Sequence, residues 1–187
     1  QAARWLLGDW ERAPKLAAEM AVEISQSFEW YRLTHWEEWV RSGQAAADAS
    51  GERNLARILQ RSLGTYLLRR GEVAQARDLL EASLETAREL LEVAKTEEEA
   101  EAGQFGVAVT LGDIARLKAQ GGDVSGALEL HQEMLEIFEQ LGDVRSRAVT
   151  LYDLAGLRWG QGEYEEAERL YRASREISRQ IGDIEGA

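Results

Sequence analysis

The chain has 187 residues, and alanine, leucine, glutamate, arginine and lysine together make up more than half of it. This bias is typical of long helices, while few β-branched residues and a single proline argue against a sheet-built domain. A formal charge of −12 disfavours a nucleic-acid partner, because an acidic surface repels phosphate backbones. No apolar run reaches the length of a membrane span, so no membrane partner is expected. The absence of cysteine removes disulfides and zinc–cysteine sites and favours a cytoplasmic location.

The first fifty residues are rich in tryptophan. They contain five of the six tryptophans of the chain: Trp5, Trp10, Trp30, Trp36 and Trp39. Thr34 and Glu37 have the spacing of a capping box, and Gly51 is expected to end the helix that they open. One face of that helix is predicted to consist of Trp36, Trp39, Val40 and Gly43. We interpret this region as a degenerate repeat with a core of indoles; the alternative is a contact surface for an upstream domain.

From residue 52 onward the chain repeats itself, first after 51 residues and then after 40. In each copy a glycine precedes an acidic residue, and an alanine follows the glycine five residues later. The three copies are Gly71-Glu72 with Ala76, Gly122-Asp123 with Ala127, and Gly162-Glu163 with Ala167. This pattern predicts a helix that ends at the glycine and a second helix that the acidic residue caps. One such hairpin cannot bury its own apolar stripe, so the hairpins are expected to stack into an all-α solenoid.

The first of the two spacings contains 11 extra residues. A later unit ends on Leu141-Gly142-Asp143, but the first has Leu90-Leu91-Glu92 and lacks the glycine, so its second helix is expected to continue to about Lys95. Thr96 and Glu99 then predict a capping box that opens the next helix. The extra residues predict a projecting helical pair with an acidic tip, which is either a solvated surface or a docking knob for a basic partner.

The stretch LAGLRWGQGEYEEAERLY, residues 154–171, carries small and aromatic residues in the positions that are characteristic of one repeat family. These residues are Leu154-Ala155, Gly162, Tyr164, Ala167 and Tyr171. The chain thereby resembles the tetratricopeptide repeats, most strongly over 148–180, well over 108–142 and 57–90, and poorly before residue 50. Its 40-residue unit exceeds the usual length of about 34 residues. It looks like the long units found in bacterial multidomain signalling proteins.

The resemblance implies a tetratricopeptide-like superhelix of stacked antiparallel helix hairpins, formed by the whole chain as a single array. The expected parts are 1–51 as the degenerate repeat, 52–95 as a repeat, 96–142 as a repeat with an extended first helix, 143–182 as a third repeat, and 183–187 as the start of a truncated further repeat. In this family the first helix of each unit lines a concave groove.

The resemblance places six residues of this chain in that groove as candidate peptide-binding residues: Arg61, Thr65, Arg69, Arg116, Tyr152 and Trp159. On a helical wheel, Arg57, Arg61 and Thr65 also face away from the apolar stripe of their helix, so the arginines are predicted to be exposed. The asparagines with which the family clamps a peptide carboxylate are absent from the aligned positions. The arginines predict an acidic or phosphorylated peptide as the ligand, and the alternative is that they are ordinary solvated side chains.

Sites for catalysis, metals or cofactors are not predicted. The chain has no phosphate-binding loop motif, and its glycine-rich pieces fall in hairpin turns. The histidines are His35 and His131, and we interpret His131 as a packing residue. Carboxylate pairs are common, but neighbouring acids on a helix point apart, and no set of residues has metal-ligand spacing. We therefore expect a protein that is not an enzyme and that holds no metal or cofactor.

The sequence favours a non-catalytic interaction scaffold that binds a peptide or protein segment in its groove, as part of a larger signalling or regulatory protein. The expected partner is a protein or peptide, with acidic peptides preferred. The alternative is a structural spacer or oligomerisation rod that stacks on neighbouring domains. Both ends of the chain read as parts of cut repeats, which predicts self-association through those ends.

Overall fold

The computed structural model describes residues 13–26 and 35–182. Within these ranges the chain forms eight helices and no strand, which confirms the all-α class and the solenoid of antiparallel helix hairpins. The helices are α1 (Pro14–Gln26), α2 (Trp36–Ser50), α3 (Arg53–Arg69), α4 (Val73–Glu92), α5 (Glu97–Gln120), α6 (Val124–Gln140), α7 (Val144–Gly160) and α8 (Tyr164–Gln180). None of these helices is long and apolar enough to cross a membrane. The predictions for Trp5, Trp10, Trp30 and 183–187 lie outside the described residues.

The turn between two helices is made by glycine in the left-handed region, as predicted. Gly122 has φ 87° and Gly162 has φ 82°, values that only glycine adopts without strain. In each case the next amide donates to a carbonyl five residues earlier, as in the 3.0 Å bond from the Glu163 N–H to the carbonyl of Arg158. This bond satisfies a carbonyl that the helix end leaves without a partner. Each hairpin is therefore closed by bonds within a few residues.

The acidic residue after the glycine caps the next helix only where it is aspartate. The Asp123 carboxylate accepts from the Gly126 N–H at 2.9 Å, and the Asp143 carboxylate accepts from the Ser146 N–H at 3.0 Å. At Glu163 the predicted cap is wrong, because its longer side chain pairs with Arg158 at 2.9 Å instead. Glu72 likewise makes no cap bond and pairs with Arg70. Aspartate is one of the favoured residues for this position because its short side chain reaches the backbone amides.

The capping box predicted at the start of the longest helix is confirmed. The Glu99 N–H donates to the Thr96 hydroxyl at 3.1 Å, and the Thr96 N–H donates to the Glu99 carboxylate at 3.3 Å. The Lys95 N–H also donates to the Glu99 carboxylate, at 2.7 Å. The bonds from Lys95 and, secondly, from Thr96 hold the pKa of Glu99 below its ordinary value. The preceding helix ends at Glu92, a few residues before the expected end near Lys95. That the α4–α5 pair projects remains a prediction.

The chain divides into two compact units, the first ending at Val93 and the second beginning at Ala94. In the first unit α1 packs against α2 and α3, and α3 packs against α4. Trp36 is 1% exposed and its ring centroid lies 4.6 Å from that of Tyr66, so an indole does fill the core of this unit. The predicted buried face of α2 is confirmed, since its members Trp36, Trp39, Val40 and Gly43 are all buried.

The helix that carries this face starts differently from the prediction. α2 begins at Trp36, after His35, and His35 makes no side-chain cap bond. Glu37 instead pairs with Arg41 at 2.9 Å and with Arg70 at 3.0 Å. The capping box predicted from Thr34 and Glu37 depends on Thr34, which lies outside the described residues. The predicted end of α2 is confirmed, because Gly51 has φ 72°.

In the second unit α5 packs against α6, α6 against α7 and α7 against α8. One buried hydrogen bond marks the repeat register across the chain. The Ser174 hydroxyl donates to the carbonyl of Ala148 at 2.7 Å, and at the equivalent positions of the first unit the Ser83 hydroxyl donates to the carbonyl of Arg57 at 3.1 Å. The middle repeat has Met134 in place of the serine. The α3–α4 and α7–α8 hairpins are thus held together in the same way.

Candidate functional site

An open groove of about 1070 Å³ lies on helices α7 and α8, and we refer to it as the α7–α8 groove. Five large apolar side chains that line it are more than a third exposed: Val149, Tyr152, Trp159, Tyr164 and Ile181. Monomeric proteins seldom expose so many large apolar side chains on one surface unless the surface binds a partner. The groove is therefore the strongest candidate binding surface among the described residues.

Aromatic rings form the walls of the α7–α8 groove as two edge-to-face pairs. Tyr152 and Tyr171 have their ring centroids 5.1 Å apart, and Trp159 and Tyr164 have theirs 4.8 Å apart. Each pair joins a residue of α7 to a residue of α8, so the hairpin itself fixes the positions of the rings. Edge-to-face pairs stabilise by about 0.5–1.5 kcal/mol beyond the area they bury. The walls are consequently preformed and offer flat apolar faces to a ligand.

Charged side chains surround these rings. The arginines are Arg145, Arg172 and Arg175, and the acids are Glu165 and Glu168. Arg172 pairs with Glu168 at 2.6 Å, both being well exposed to solvent. Arg175 forms no ion pair within 13–26 and 35–182. The groove therefore combines apolar walls with cationic groups that can meet a carboxylate.

The six predicted binding residues fall into three places. Tyr152 and Trp159 come together in the α7–α8 groove, both more than half exposed. Arg61, Thr65 and Arg69 lie one turn apart along α3, in the first unit, and the Thr65 hydroxyl donates to the carbonyl of Arg61 at 3.0 Å.

The remaining residue, Arg116, lies on α5 in the second unit and is exposed. Its Nη1 pairs with a carboxylate oxygen of Asp113 at 3.3 Å. Arg116 does not line the α7–α8 groove. The structure thus brings the two aromatic residues together, and the three residues of α3 together, as separate groups.

The prediction that the α3 arginines are exposed is wrong for Arg57, which is only 7% exposed. Its Nε and Nη2 donate to the Asn54 side-chain oxygen at 3.1 and 2.9 Å. Burial, and secondly the charge of Arg61, lowers the pKa of Arg57 to about 10. The helical wheel failed here because it compares a residue only with its own helix and leaves out the helices packed around it.

Three groove residues escaped the sequence analysis as binding candidates: Tyr171, Tyr164 and Arg175. Tyr164 and Tyr171 were assigned to the repeat signature, where aromatic residues normally serve packing. Their repeat equivalents Val124 and His131 are less exposed. The sequence does contain a signal for this surface. At these positions α8 has aromatic and charged residues where α6 has Val124, His131 and Leu135.

A second polar cluster lies in the same unit, where α5, α6 and α7 contribute one charged or titratable group each. His131 on α6 is 6% exposed, in agreement with its interpretation as a packing residue, and its Nδ1 has no hydrogen-bond partner among the described residues. Burial lowers the pKa of His131, an effect that the charge of Asp153 opposes and that of Arg116 reinforces. Burial also raises the pKa of Asp153, against the charges of His131 and Arg116. The fold therefore favours neutral His131.

We expect His131→Leu, which copies the equivalent Leu80, to make the protein more resistant to acid. The pKa of His131 lies below the unfolded value of 6.5, so the unfolded chain takes up a proton here before the folded chain does. The free energy of unfolding of the parent protein should therefore fall as the pH drops through about 6.5, and the variant lacks this loss. Urea unfolding between about pH 7.5 and about pH 5.5 measures the difference, which should grow in favour of the variant.

The matched control is His35→Leu, because the side chain of His35 is half exposed beside Glu38. The raised pKa of Asp153 increases the free energy of unfolding as the pH falls, which opposes the effect of His131. Asp153 is present in both the parent and the His131→Leu variant. A stability difference between parent and His131→Leu that is constant over this pH range contradicts the assignment.

No group of three or more histidine, aspartate or glutamate side chains in the described ranges could hold a metal ion.

Comparisons with known proteins agree with the repeat pattern. A family model described as tetratricopeptide repeat matches residues 106–180, and a second model with the same description matches 60–94. The crystal structure of BtubC (BKLC) from P. vanneervenii is similar, with a TM-score of 0.72 and 17% identity over 90% of this chain. This chain spans only 66% of that protein.

A second solved structure is a crystal structure of the nearly identical TPR-like repeats of a Podosopora anserina protein named as a putative kinesin light chain. It has a TM-score of 0.50 and 18% identity. That match covers 97% of this chain and 92% of the other. No curated protein sequence matches the chain. At these identities the two structures show a shared fold.

Proposed function

Because the chain belongs to the tetratricopeptide-repeat family, whose repeats generally mediate protein–protein interaction, we propose that it is a non-catalytic scaffold that binds a peptide or protein segment in a groove. The single observation that carries this proposal is the α7–α8 groove, with Tyr152 and Trp159 exposed in its walls. Tryptophan, tyrosine and arginine are the residues that most often dominate binding energy at protein interfaces. Tyr152 and Trp159 would hold an apolar or aromatic side chain of the partner.

We infer that a partner segment of this scaffold is acidic or phosphorylated. Its candidate contacts are two separate groups: Arg61, Thr65 and Arg69 on α3 of the first unit, and Arg116 on α5 of the second. The net charge of −12 repels an acidic ligand at long range, so such a ligand depends on a local cluster of arginines. The planar guanidinium suits this role because it can hold a carboxylate or phosphate through two parallel hydrogen bonds. The spacing of Arg61, Thr65 and Arg69 by four residues supports their acting together, since it places them along one side of α3.

The proposal extends to the setting of the scaffold, a larger signalling or regulatory protein of the bacterial cytoplasm. The long 40-residue unit supports the signalling assignment through the family resemblance, and the absence of cysteine supports a reducing compartment. The division of the chain into repeats at 52–95, 96–142 and 143–182 belongs to the same proposal.

The test is a charge reversal of two arginines, Arg61→Glu with Arg116→Glu. The probe is a fluorescein-labelled peptide of about ten residues made of glutamate and tyrosine, followed by fluorescence anisotropy. We expect its dissociation constant to rise at least about tenfold, because each reversal replaces an attraction with a repulsion. Thermal unfolding is measured alongside, because Arg116 pairs with Asp113, whose side chain is 9% exposed, so its reversal also costs stability. Binding is compared at a temperature where the variant is fully folded.

The control for this experiment is Arg169→Glu with Arg179→Glu, an equal charge change at two exposed positions of α8 outside the groove lining. If the double reversal binds the acidic peptide as well as the parent does, the arginines are not the binding surface.

Light scattering at increasing concentration tests the oligomerisation rod, which predicts self-association without any peptide. Self-association through the chain ends is the outcome that would favour that second function.

A further inference from the structure

The α7–α8 groove occupies the surface that, one repeat earlier, is covered by a helix. Within the second unit α6 packs against α7. Each residue of α8 that lines the groove has an equivalent on α6, 40 residues earlier in the chain. Four such residues are more exposed than their equivalents: Tyr164, Glu168, Tyr171 and Arg175, against Val124, Leu128, His131 and Leu135. The same holds for Ile181, the residue after α8, against Leu141, the residue after α6. The groove is therefore a helix-receiving face that no helix covers within the described ranges.

The side chains at the centre of the α7–α8 groove are smaller than those at the equivalent positions of α6. Where α6 has the large buried side chains of Met134 and Phe138, α8 has Ser174 and Ser178, and both serines line the groove. Protein interiors are packed at the density of organic crystals, so a helix seated here must itself supply the missing volume. A helix with bulky apolar residues at its centre fits this requirement better than one with small residues.

The charges of the groove have changed as well. Arginine stands at Arg145, Arg172 and Arg175, where the preceding hairpin has Phe105, Gln132 and Leu135. Arg172 is paired with Glu168, while Arg175 forms no ion pair in the described part of the chain. An incoming helix with acidic residues along its edge would meet these guanidinium groups at the rim of the interface.

We propose that the α7–α8 groove binds one amphipathic α-helix of a partner protein, seated on α8 as α7 is seated on α6. The helix places bulky apolar side chains over Ser174 and Ser178 and an acidic edge beside Arg175. This inference rests on the proposed function in that it takes the groove to be a protein-binding surface. It adds that the partner segment is helical and has a bulky apolar face beside its acidic edge. An extended acidic peptide has neither property.

The test uses three labelled peptides of about 17 residues, the length of α8. The first is an amphipathic helix with leucine and phenylalanine on one face and glutamate along both edges. The second has lysine in place of the glutamates, and the third has a central proline that prevents the helix. Fluorescence anisotropy should give the first peptide a dissociation constant at least about tenfold lower than either of the others.

Two variants locate the binding within the groove. Arg175→Glu should weaken binding of the glutamate-edged peptide and strengthen binding of the lysine-edged one. Arg179→Glu, on the same helix but outside the groove lining, should change the affinity of neither peptide. Ser178→Phe, which copies Phe138, should weaken binding at least about tenfold by filling the groove. If circular dichroism shows that Ser178→Phe disturbs the fold, Val149→Glu takes its place, because Val149 is 57% exposed.

Each result decides the inference. Equal or tighter binding of the proline-containing peptide overturns the helix and leaves the proposed function in place, because it shows that the partner is extended. Binding that Arg175→Glu and Ser178→Phe leave unchanged also overturns it. A dimer of the chain that forms in the absence of peptide, and that Arg175→Glu dissolves, identifies a second copy as the occupant and overturns it too. If neither the helical peptides nor the acidic peptide of the preceding test binds, both proposals fail.

Discussion

Replacing Trp36 with alanine is expected to lower the free energy of unfolding by about 3–5 kcal/mol. Trp36 is 1% exposed, its ring lies against Tyr66, and it belongs to the buried face of α2. Removing the indole leaves a cavity that the surrounding helices can fill only in part, because side chains on rigid helices relax little. Urea denaturation monitored by circular dichroism measures the loss as a lower midpoint at constant slope.

Trp159 provides the control, because the same substitution there removes an indole that is 57% exposed. Trp159→Ala should lower the free energy of unfolding by no more than about 2 kcal/mol, because the main loss is the edge-to-face pair with Tyr164. It should, however, weaken peptide binding in the α7–α8 groove. Equal losses of stability in the two variants would contradict the assignment of one tryptophan to the core and of the other to the binding surface.

Replacing Gly43 with alanine is expected to destabilise the first unit by about 2 kcal/mol or more. In the interior of a helix, alanine normally stabilises by about 1 kcal/mol relative to glycine. Here the added Cβ would collide with the Cβ of Ala21, because the backbones of α1 and α2 lie close together at this pair. Neither partner has a flexible side chain that can move aside, so the two helices must separate and lose their packing.

The matched substitution is Gly156→Ala, also within a helix. Its new Cβ would meet only the Tyr171 hydroxyl oxygen at 3.6 Å, an ordinary contact. We expect this variant to be more stable than the parent by about 0.5–1 kcal/mol. Thermal unfolding of both variants should therefore give midpoint shifts of opposite sign. A stabilising effect of Gly43→Ala would show that α1 does not lie this close to α2 in solution.

Features that depend on a few neighbouring residues could be predicted from the sequence. Left-handed glycines at Gly122 and Gly162, the aspartate caps and the Thr96–Glu99 capping box all follow from backbone groups within about five residues. The failed cap at Glu163 has a local cause as well, because Arg158 competes for its carboxylate. Such a competitor is visible in the sequence only when the turn geometry is already known.

Features that depend on packing between helices could be predicted only in part. The sequence placed Tyr152 and Trp159 on a binding surface through the family resemblance, but it did not pair them with Tyr171 and Tyr164 of the next helix. The sequence also predicted an exposed Arg57, whereas the side chain is buried. In each of these cases the deciding quantity is the set of neighbours from other helices, which a helical wheel does not contain.

The closure of the α3–α4, α5–α6 and α7–α8 hairpins by their own glycines has a consequence for how such a chain can change in length over evolution. The bonds around Gly122 and Gly162 join atoms that lie within six residues of one another, so a hairpin brings its turn with it wherever it is copied. Duplication or loss of a whole hairpin then leaves every remaining turn intact, and only the two newly adjoining faces must adapt to each other. The difference between Met134 and Phe138 on α6 and Ser174 and Ser178 on α8 is of this kind, since it changes a stacking face while a glycine follows both helices, at Gly142 and Gly182.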